Sequence, residues 1–145
     1  VIDKTKSYLV GWRNHEISAA LAREGYDIVV SPGQAYYLDM SQAIDWAEPG
    51  ASWAGISSPE KTYRFDPTGG WSDAERAHFL GIQACIWSEP MADRAIFDRL
   101  VFPRPSAIAE TAWTPAADKS WERFRAIAGM VRMHYGWQDL AGGEG

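Results

Sequence analysis

Two pairs of side chains in this sequence combine an aromatic ring with a carboxylate two residues away: Tyr37 with Asp39, and Trp87 with Glu89. In an extended segment, residues two apart point the same way. Each pair would therefore present one ring and one acid on a common face. A third cluster, Trp12-Arg13-Asn14-His15, follows a short apolar run. Flat rings stack on the C–H faces of a pyranose while carboxylates accept its hydroxyl protons. The composition points the same way, with 8 Trp, 6 Tyr and 5 Phe among 145 residues. Packing in an ordinary core is the competing reading for these rings. A second chemical reading makes Asp39 and Glu89 an acid/base pair in their own right.

The elements that position these groups follow from apolar patterning. Tyr8–Trp12 and the β-branched run Asp27–Pro32 read as strands, the second ending at Pro-Gly. A helical pattern from Glu16 to Glu24 separates them, stopped by Gly25. That is a βαβ unit, hence a parallel pair. Gly81–Trp87 is a third strand candidate. Residues 33 to 57 read as a long loop, which in a compact domain is usually functional. Pro59 opens a short helix through Tyr63, and Ser72 with Glu75 predicts a capping box for a helix over Asp73–Leu80. Further helices are expected over Met91–Val101, Ser106–Trp113 and Trp121–Tyr135, with Gly136 as a stop and a disordered tail over 141–145. Three strands interleaved with helices define an α/β fold. They are too few for a closed (β/α)8 barrel. The chemistry-bearing clusters all follow strand C-termini, the edge where parallel α/β proteins bind ligands.

Other residues receive plainer readings. Cys85 lies in an apolar run and reads as a small core residue. The lone cysteine excludes an internal disulfide and a thiolate metal cluster. No metal or cofactor is expected. His15-Glu16 reads as a helix entry, and His78 and His134 as surface positions on helices. Asp73, Glu75 and Arg76 read as a solvated helix start. Trp113, Trp121 and Trp137 are expected in the core, while Trp46 and Trp71 stay unassigned. Arg13 is either a pocket residue or a salt-bridge partner. The net charge of −5 and the lack of a basic block argue against nucleic-acid binding. No apolar run approaches a membrane span. Val1-Ile2-Asp3-Lys4 does not read as the start of an export signal.

Taken in order, five stretches resemble family 20 glycoside hydrolases, the β-N-acetylhexosaminidases. Trp12-Arg13 resembles the end of that family's sixth barrel strand. Gly25–Pro32 followed by Tyr37-Leu38-Asp39 resembles the seventh strand and its loop. Tyr63-Arg64-Phe65-Asp66-Pro67 matches a Tyr-x-Phe-Asp-Pro element. Gly81–Glu89 resembles the eighth strand. Phe102-Pro103-Arg104, with Ala109-Glu110 and Trp113, resembles the helix that closes the barrel. Pro105 departs from the family's usual Leu there, which puts the start of that helix in question. The likeness runs from about residue 8 to residue 125.

The resemblance implies that residues 1–140 are the C-terminal part of a (β/α)8 catalytic barrel, contributing its last three strands. It implies a ligand, a terminal N-acetyl-hexosamine of a glycan or oligosaccharide. Trp12 and Trp87 would line the pocket around the 2-acetamido group and the ring. Tyr37 would donate to the acetamido oxygen, Asp39 and Trp53 would contact the 6-hydroxyl region, and Glu89 would hold the 4-hydroxyl. The reaction it implies is substrate-assisted, with the substrate's own acetamido oxygen as nucleophile. The family's Asp-Glu acid pair is missing: no Asp-Glu dipeptide occurs in the sequence. The chain alone is therefore expected to be inactive, with its barrel completed by the missing strands or by a second copy. A non-catalytic sugar-binding module and a self-associating partial barrel are the alternatives. The resemblance also suggests a secreted, periplasmic or lysosome-like compartment.

Overall fold

The computed structural model describes residues 2–135, with side chains described through residue 128. Trp137, Gly136 and the expected tail at 141–145 lie outside the described residues, as do the side chains of Met130, Met133 and His134. Three parallel strands form one sheet in the order β1-β2-β3: β1 Tyr8–Gly11, β2 Asp27–Val30 and β3 Phe79–Ile82. Tyr8 pairs with Asp27, Gly11 with Val30, and Val30 with Ile82. The expected α/β architecture with a parallel sheet is thus present.

Helix α1, His15–Arg23, crosses from β1 to β2 and is capped by the Asn14 carboxamide, which accepts from Ile17 N at 2.8 Å. One face of the sheet buries Ile28 and Val30 against Ala22 and Trp71, with Leu9, Phe79 and Ile82 packed around them. Gly11 lies on that face because the backbone meets α1 closely: a methyl group there would stand 2.0 Å from Ser18 Oγ. The opposite face leaves Tyr8, Val10 and Leu80 exposed. Residues 33–57 are not loop throughout, since α2 spans Gly33–Tyr36. Helix α3, Pro59–Arg64, packs Tyr63 against Ala107 and Phe124, joining α6 (Arg104–Trp113) to α7 (Trp121–Tyr135). Helix α5, Arg94–Val101, starts at its Asp93 cap rather than at Met91.

Several expectations need correction. The helix predicted through Leu80 is only α4, Asp73–Arg76, because the backbone beyond it pairs with β2: His78 O accepts from Ile28 N at 2.8 Å. Strand β3 accordingly begins two residues before Gly81 and ends at Ile82, short of Trp87. His78 is not on a helix; its Nδ1 is 2.9 Å from Asp27 Oδ1. Glu75 is buried, not solvated. It completes the capping box with Ser72 and meets Arg23 at 2.6 Å. Hydrogen bonds from the Ser72 N–H and hydroxyl hold its carboxyl below the usual range. Trp113 is 88% exposed, not core. It lies nine residues beyond the buried Arg104, about two and a half turns, on the opposite side of α6. Pro105 falls in the first turn of α6, where its missing N–H is tolerated, and the helix starts at Arg104 rather than Ser106. Trp121 packs on Tyr63 and Phe124 as expected, and Trp71 is core.

Gly11→Ala is expected to destabilise the chain by about 1–3 kcal/mol, the usual cost of overpacking. Urea unfolding checks this; a variant as stable as the parent would show that β1 and α1 are not in close contact.

Candidate functional site

Beyond Ile82 the chain stays extended and continues alongside the segment after α2. Cys85 N donates to Tyr36 O at 3.0 Å, and Leu38 N donates to Cys85 O at 2.8 Å, a parallel bridge between Tyr37 and Cys85. This bridge carries the two ring-and-acid pairs to one place. A second bridge, Met40 to Ala51, folds the following loop back: Ala51 N donates to Asp39 O at 2.8 Å, and Ser41 N to Ala51 O at 2.9 Å. Gly50 makes that return possible. Its φ is +113°, and a Cβ there would stand 2.8 Å from Asp39 O. Trp53 is thereby laid against Tyr37. On the third side, Gly33 N donates to Trp12 O at 2.9 Å and Gln34 Nε2 to Arg13 O at 3.0 Å. These bonds anchor the Trp12-Arg13 dipeptide.

The result is a cleft of about 610 Å³ lined by Trp12, Tyr37, Asp39, Ala51, Trp53, Trp87, Glu89 and Pro90. Every site residue expected from the sequence lines it. Four rings run in contact around the wall. Trp12 meets Trp53 edge-on at 6.2 Å, Trp53 meets Tyr37 at 5.7 Å, and Tyr37 meets Trp87 at 6.0 Å. The three indoles are about half exposed, whereas Tyr37 and Asp39 are buried behind them. Arg13 does not line the cleft; its guanidinium lies over the Trp12 ring, 5.2 Å from the centroid. Cys85 is half-buried rather than core, with Sγ 3.4 Å from Ser31 Oγ.

Electrostatics separate the polar groups by role. Burial is the main cause that pushes the Tyr37 phenol above its ordinary value, with the neighbouring Cys85 adding to it. The phenol is a hydrogen-bond donor at neutral pH. Burial likewise raises Asp39, and Glu89 across the cleft adds to this, while the Arg104 charge opposes it. Asp39 Oδ1 is buried and has no hydrogen-bond partner within the described residues. A buried acceptor of this kind suits a ligand hydroxyl. Among the described residues no group of three or more His, Cys, Asp or Glu could hold a metal ion. No helix among them is long and apolar enough to cross a membrane.

Sequence reasoning gave no role to Arg104, Gln42 or Glu48. Arg104 is fully buried and donates only to carbonyls: from Nη2 to Leu38 O at 2.7 Å, from Nη1 to Ser57 O at 3.0 Å and Tyr37 O at 3.4 Å, and from Nε to Leu100 O at 3.1 Å. Burial draws this guanidinium down to about 10, so it remains charged at neutral pH. Glu48 accepts from Gln42 N at 3.2 Å and meets Arg99 Nη2 at 2.6 Å; Gln42 Nε2 donates to Leu100 O at 3.0 Å. The one signal in the sequence was an arginine between prolines at a helix start.

Known proteins resemble this chain in sequence and in shape. The chain is 33% identical over 103 residues to a beta-hexosaminidase of Vibrio furnissii, covering 70% of this chain and 17% of the relative. It is 31% identical over 123 residues to a beta-N-acetylhexosaminidase of Cellulomonas fimi, covering 85% of this chain and 24% of that one. It therefore spans under a quarter of the length of these two relatives. The crystal structure of an exo beta-N-acetylglucosaminidase from Vibrio harveyi in complex with N-acetylglucosamine matches with a TM-score of 0.81 at 30% identity, over 94% of this chain and 22% of that one. A beta-N-acetylhexosaminidase of Streptomyces coelicolor A3(2) matches with a TM-score of 0.75 at 26% identity, over 94% and 29%. The model of the glycosyl hydrolase family 20 catalytic domain matches residues 1–116, and the chain belongs to that family.

Proposed function

We propose that the chain is part of a β-N-acetylhexosaminidase that removes terminal, non-reducing N-acetyl-hexosamine residues from glycans or oligosaccharides by substrate-assisted, retaining catalysis. The observation that carries this reading is the convergence of Trp12, Trp53, Tyr37 and Trp87 with Asp39 and Glu89 on one cleft. Trp87 forms the floor under the sugar ring, and Trp12 closes the acetamido side. The Tyr37 phenol donates to the acetamido carbonyl oxygen and orients it toward the anomeric carbon. Asp39, with Trp53, receives the 6-hydroxyl region, and Glu89 receives the 4-hydroxyl. Neither acid serves as proton donor to the leaving oxygen in this reading. That proton comes from an Asp-Glu pair, and this sequence has no such dipeptide.

Residues 1–140 are then the C-terminal part of a (β/α)8 catalytic barrel, to which the described elements contribute the last three strands and their flanking helices. The exposed Tyr8, Val10 and Leu80 support this, since apolar side chains on a barrel strand face the packed interior. In the whole protein the remaining strands cover that face and bring the acid pair. Exposure of the same residues also supports self-association of the chain by itself, where a second copy covers the face. Sedimentation of the chain as a monomer counts against that reading.

Calorimetric titration of the chain with an acetamido-thiazoline mimic of N-acetylglucosamine is expected to show one site, with no heat from glucosamine. Trp87→Ala is expected to weaken binding by roughly tenfold or more, as truncated aromatic anchors do. Tyr37→Phe should cost about fivefold, the value of one hydrogen bond. Equal binding by both variants would remove the pocket assignment. A chromogenic N-acetylglucosaminide should not be turned over by the chain; measurable hydrolysis would contradict the absence of the acid. Asp39 is raised in the folded chain from its ordinary 3.8, so the folded state binds more protons than the unfolded one between those values. Its contribution is present below 3.8 and lost as pH rises through the raised value. Asp39→Asn should remove that loss, so that urea stability gains relative to the parent as pH rises from 3 to 7. A constant difference between the two across that range would contradict it.

A further inference from the structure

We infer that Arg104 is a positioning residue for the cleft: by donating to the carbonyls of Tyr37 and Leu38 it fixes the directions in which the Tyr37 phenol and the Asp39 carboxylate meet a ligand. The inference rests on the sugar-binding reading of the cleft. Its basis is geometric. The Leu38 carbonyl belongs to the planar peptide that ends at the Asp39 Cα, so holding Leu38 O at 2.7 Å from Nη2 sets the orientation of that unit. The Tyr37 carbonyl, 3.4 Å from Nη1, belongs to the peptide whose N–H, on Leu38, donates to Cys85 O at 2.8 Å. That peptide is therefore held from both sides, by the buried cation behind the wall and by the extended segment that leads to Trp87.

The same guanidinium reaches two further segments. Nη1 donates to Ser57 O at 3.0 Å, where the loop bearing Trp53 rejoins the body, and Nε donates to Leu100 O at 3.1 Å near the end of α5. The planar fork serves four carbonyls from three segments through three separate nitrogens, whereas a lysine ammonium has a single nitrogen with three donors on a flexible stem and does not reproduce that spread. Gln42 also donates to Leu100 O, at 3.0 Å, so the α5 terminus is a common anchor for both ends of the loop. Arg104 itself touches neither cleft nor ligand, which makes it a residue acting through Tyr37 and Asp39. Its charge has a second effect on the site. Burial, the largest influence, and Glu89 favour the protonated Asp39, whereas a backbone hydrogen bond and the Arg104 charge favour the carboxylate.

The test is the dissociation constant of the acetamido-thiazoline mimic, measured against pH for the unaltered chain, Arg104→Lys and Arg104→Met. Arg104→Lys keeps the charge and loses the fork. It should bind roughly tenfold more weakly, with the acidic midpoint of binding unmoved. Arg104→Met loses both, and its midpoint should move to higher pH as Asp39 takes up its proton more readily. A general loss of stability lowers the melting temperature but does not move that midpoint. Should Arg104→Met fail to fold, the dissociation constant of folded Arg104→Lys decides. Binding by Arg104→Lys with the parent's constant overturns the inference while leaving the sugar-binding reading intact. Absence of binding by the unaltered chain at every pH removes that reading and the inference with it.

Discussion

The Arg104 side chain is enclosed completely, and its N–H groups point at carbonyls from the Tyr37–Leu38 peptides, from Ser57 and from Leu100. A buried cation is costly unless its donors are satisfied, by several kcal/mol in real proteins. Satisfying them here forces three stretches of chain to converge on one point. Two of those stretches form the wall and return of the cleft. The third is the junction of α5 with α6. The rest of the site is arranged around this constraint: the loop from Asp39 to Ser57 leaves and rejoins the same point, so its length is spent presenting Trp53 rather than wandering. Glu48 and Arg99 clasp the loop midway, in a largely buried ion pair.

The sheet and the site are linked by backbone, not by side chains alone. Strand β3 ends at Ile82, yet hydrogen bonds to β2 and its continuation persist through Gln83 and Cys85. This prolonged pairing delivers Trp87 and Glu89 opposite Tyr37 and Asp39. The indoles stay half exposed while the phenol and one carboxylate are buried behind them. Such a cleft offers stacking surface at its mouth and hydrogen-bonding groups at depth. That ordering suits a ligand with apolar faces and a polar rim, as a hexose has.

Much of this was legible in the sequence, for identifiable reasons. The β-branched run of β2 and the Gly25 stop of α1 are local signals, and they placed both elements. The ring-and-acid pairs do share the cleft, but not through the extended backbone their spacing suggested: Asp39 lies in the turn closed by Met40 N donating to Tyr37 O at 3.3 Å, and Glu89 in the turn closed by Met91 N donating to Ser88 O at 2.9 Å. What was misread depended on partners far away. The pattern over Asp73–Leu80 looked helical until pairing with β2 claimed residues 78–80, a tertiary effect that no local propensity reports. Glu75 looked solvated because its partner Arg23 is on another helix. Trp113 looked like core because a lone aromatic in a helical pattern does not announce which face is covered. Arg104 carries no local mark of burial; its partners are all carbonyls, which composition and spacing cannot name.

The central claim is that the three strand ends gather one N-acetyl-hexosamine site, and a crystal structure of the chain soaked with the acetamido-thiazoline mimic tests it directly. The account predicts density with its ring plane over Trp87 and its former acetamido oxygen or sulfur position within hydrogen-bond reach of the Tyr37 hydroxyl. Density elsewhere on the chain, with this cleft holding only solvent, would contradict it.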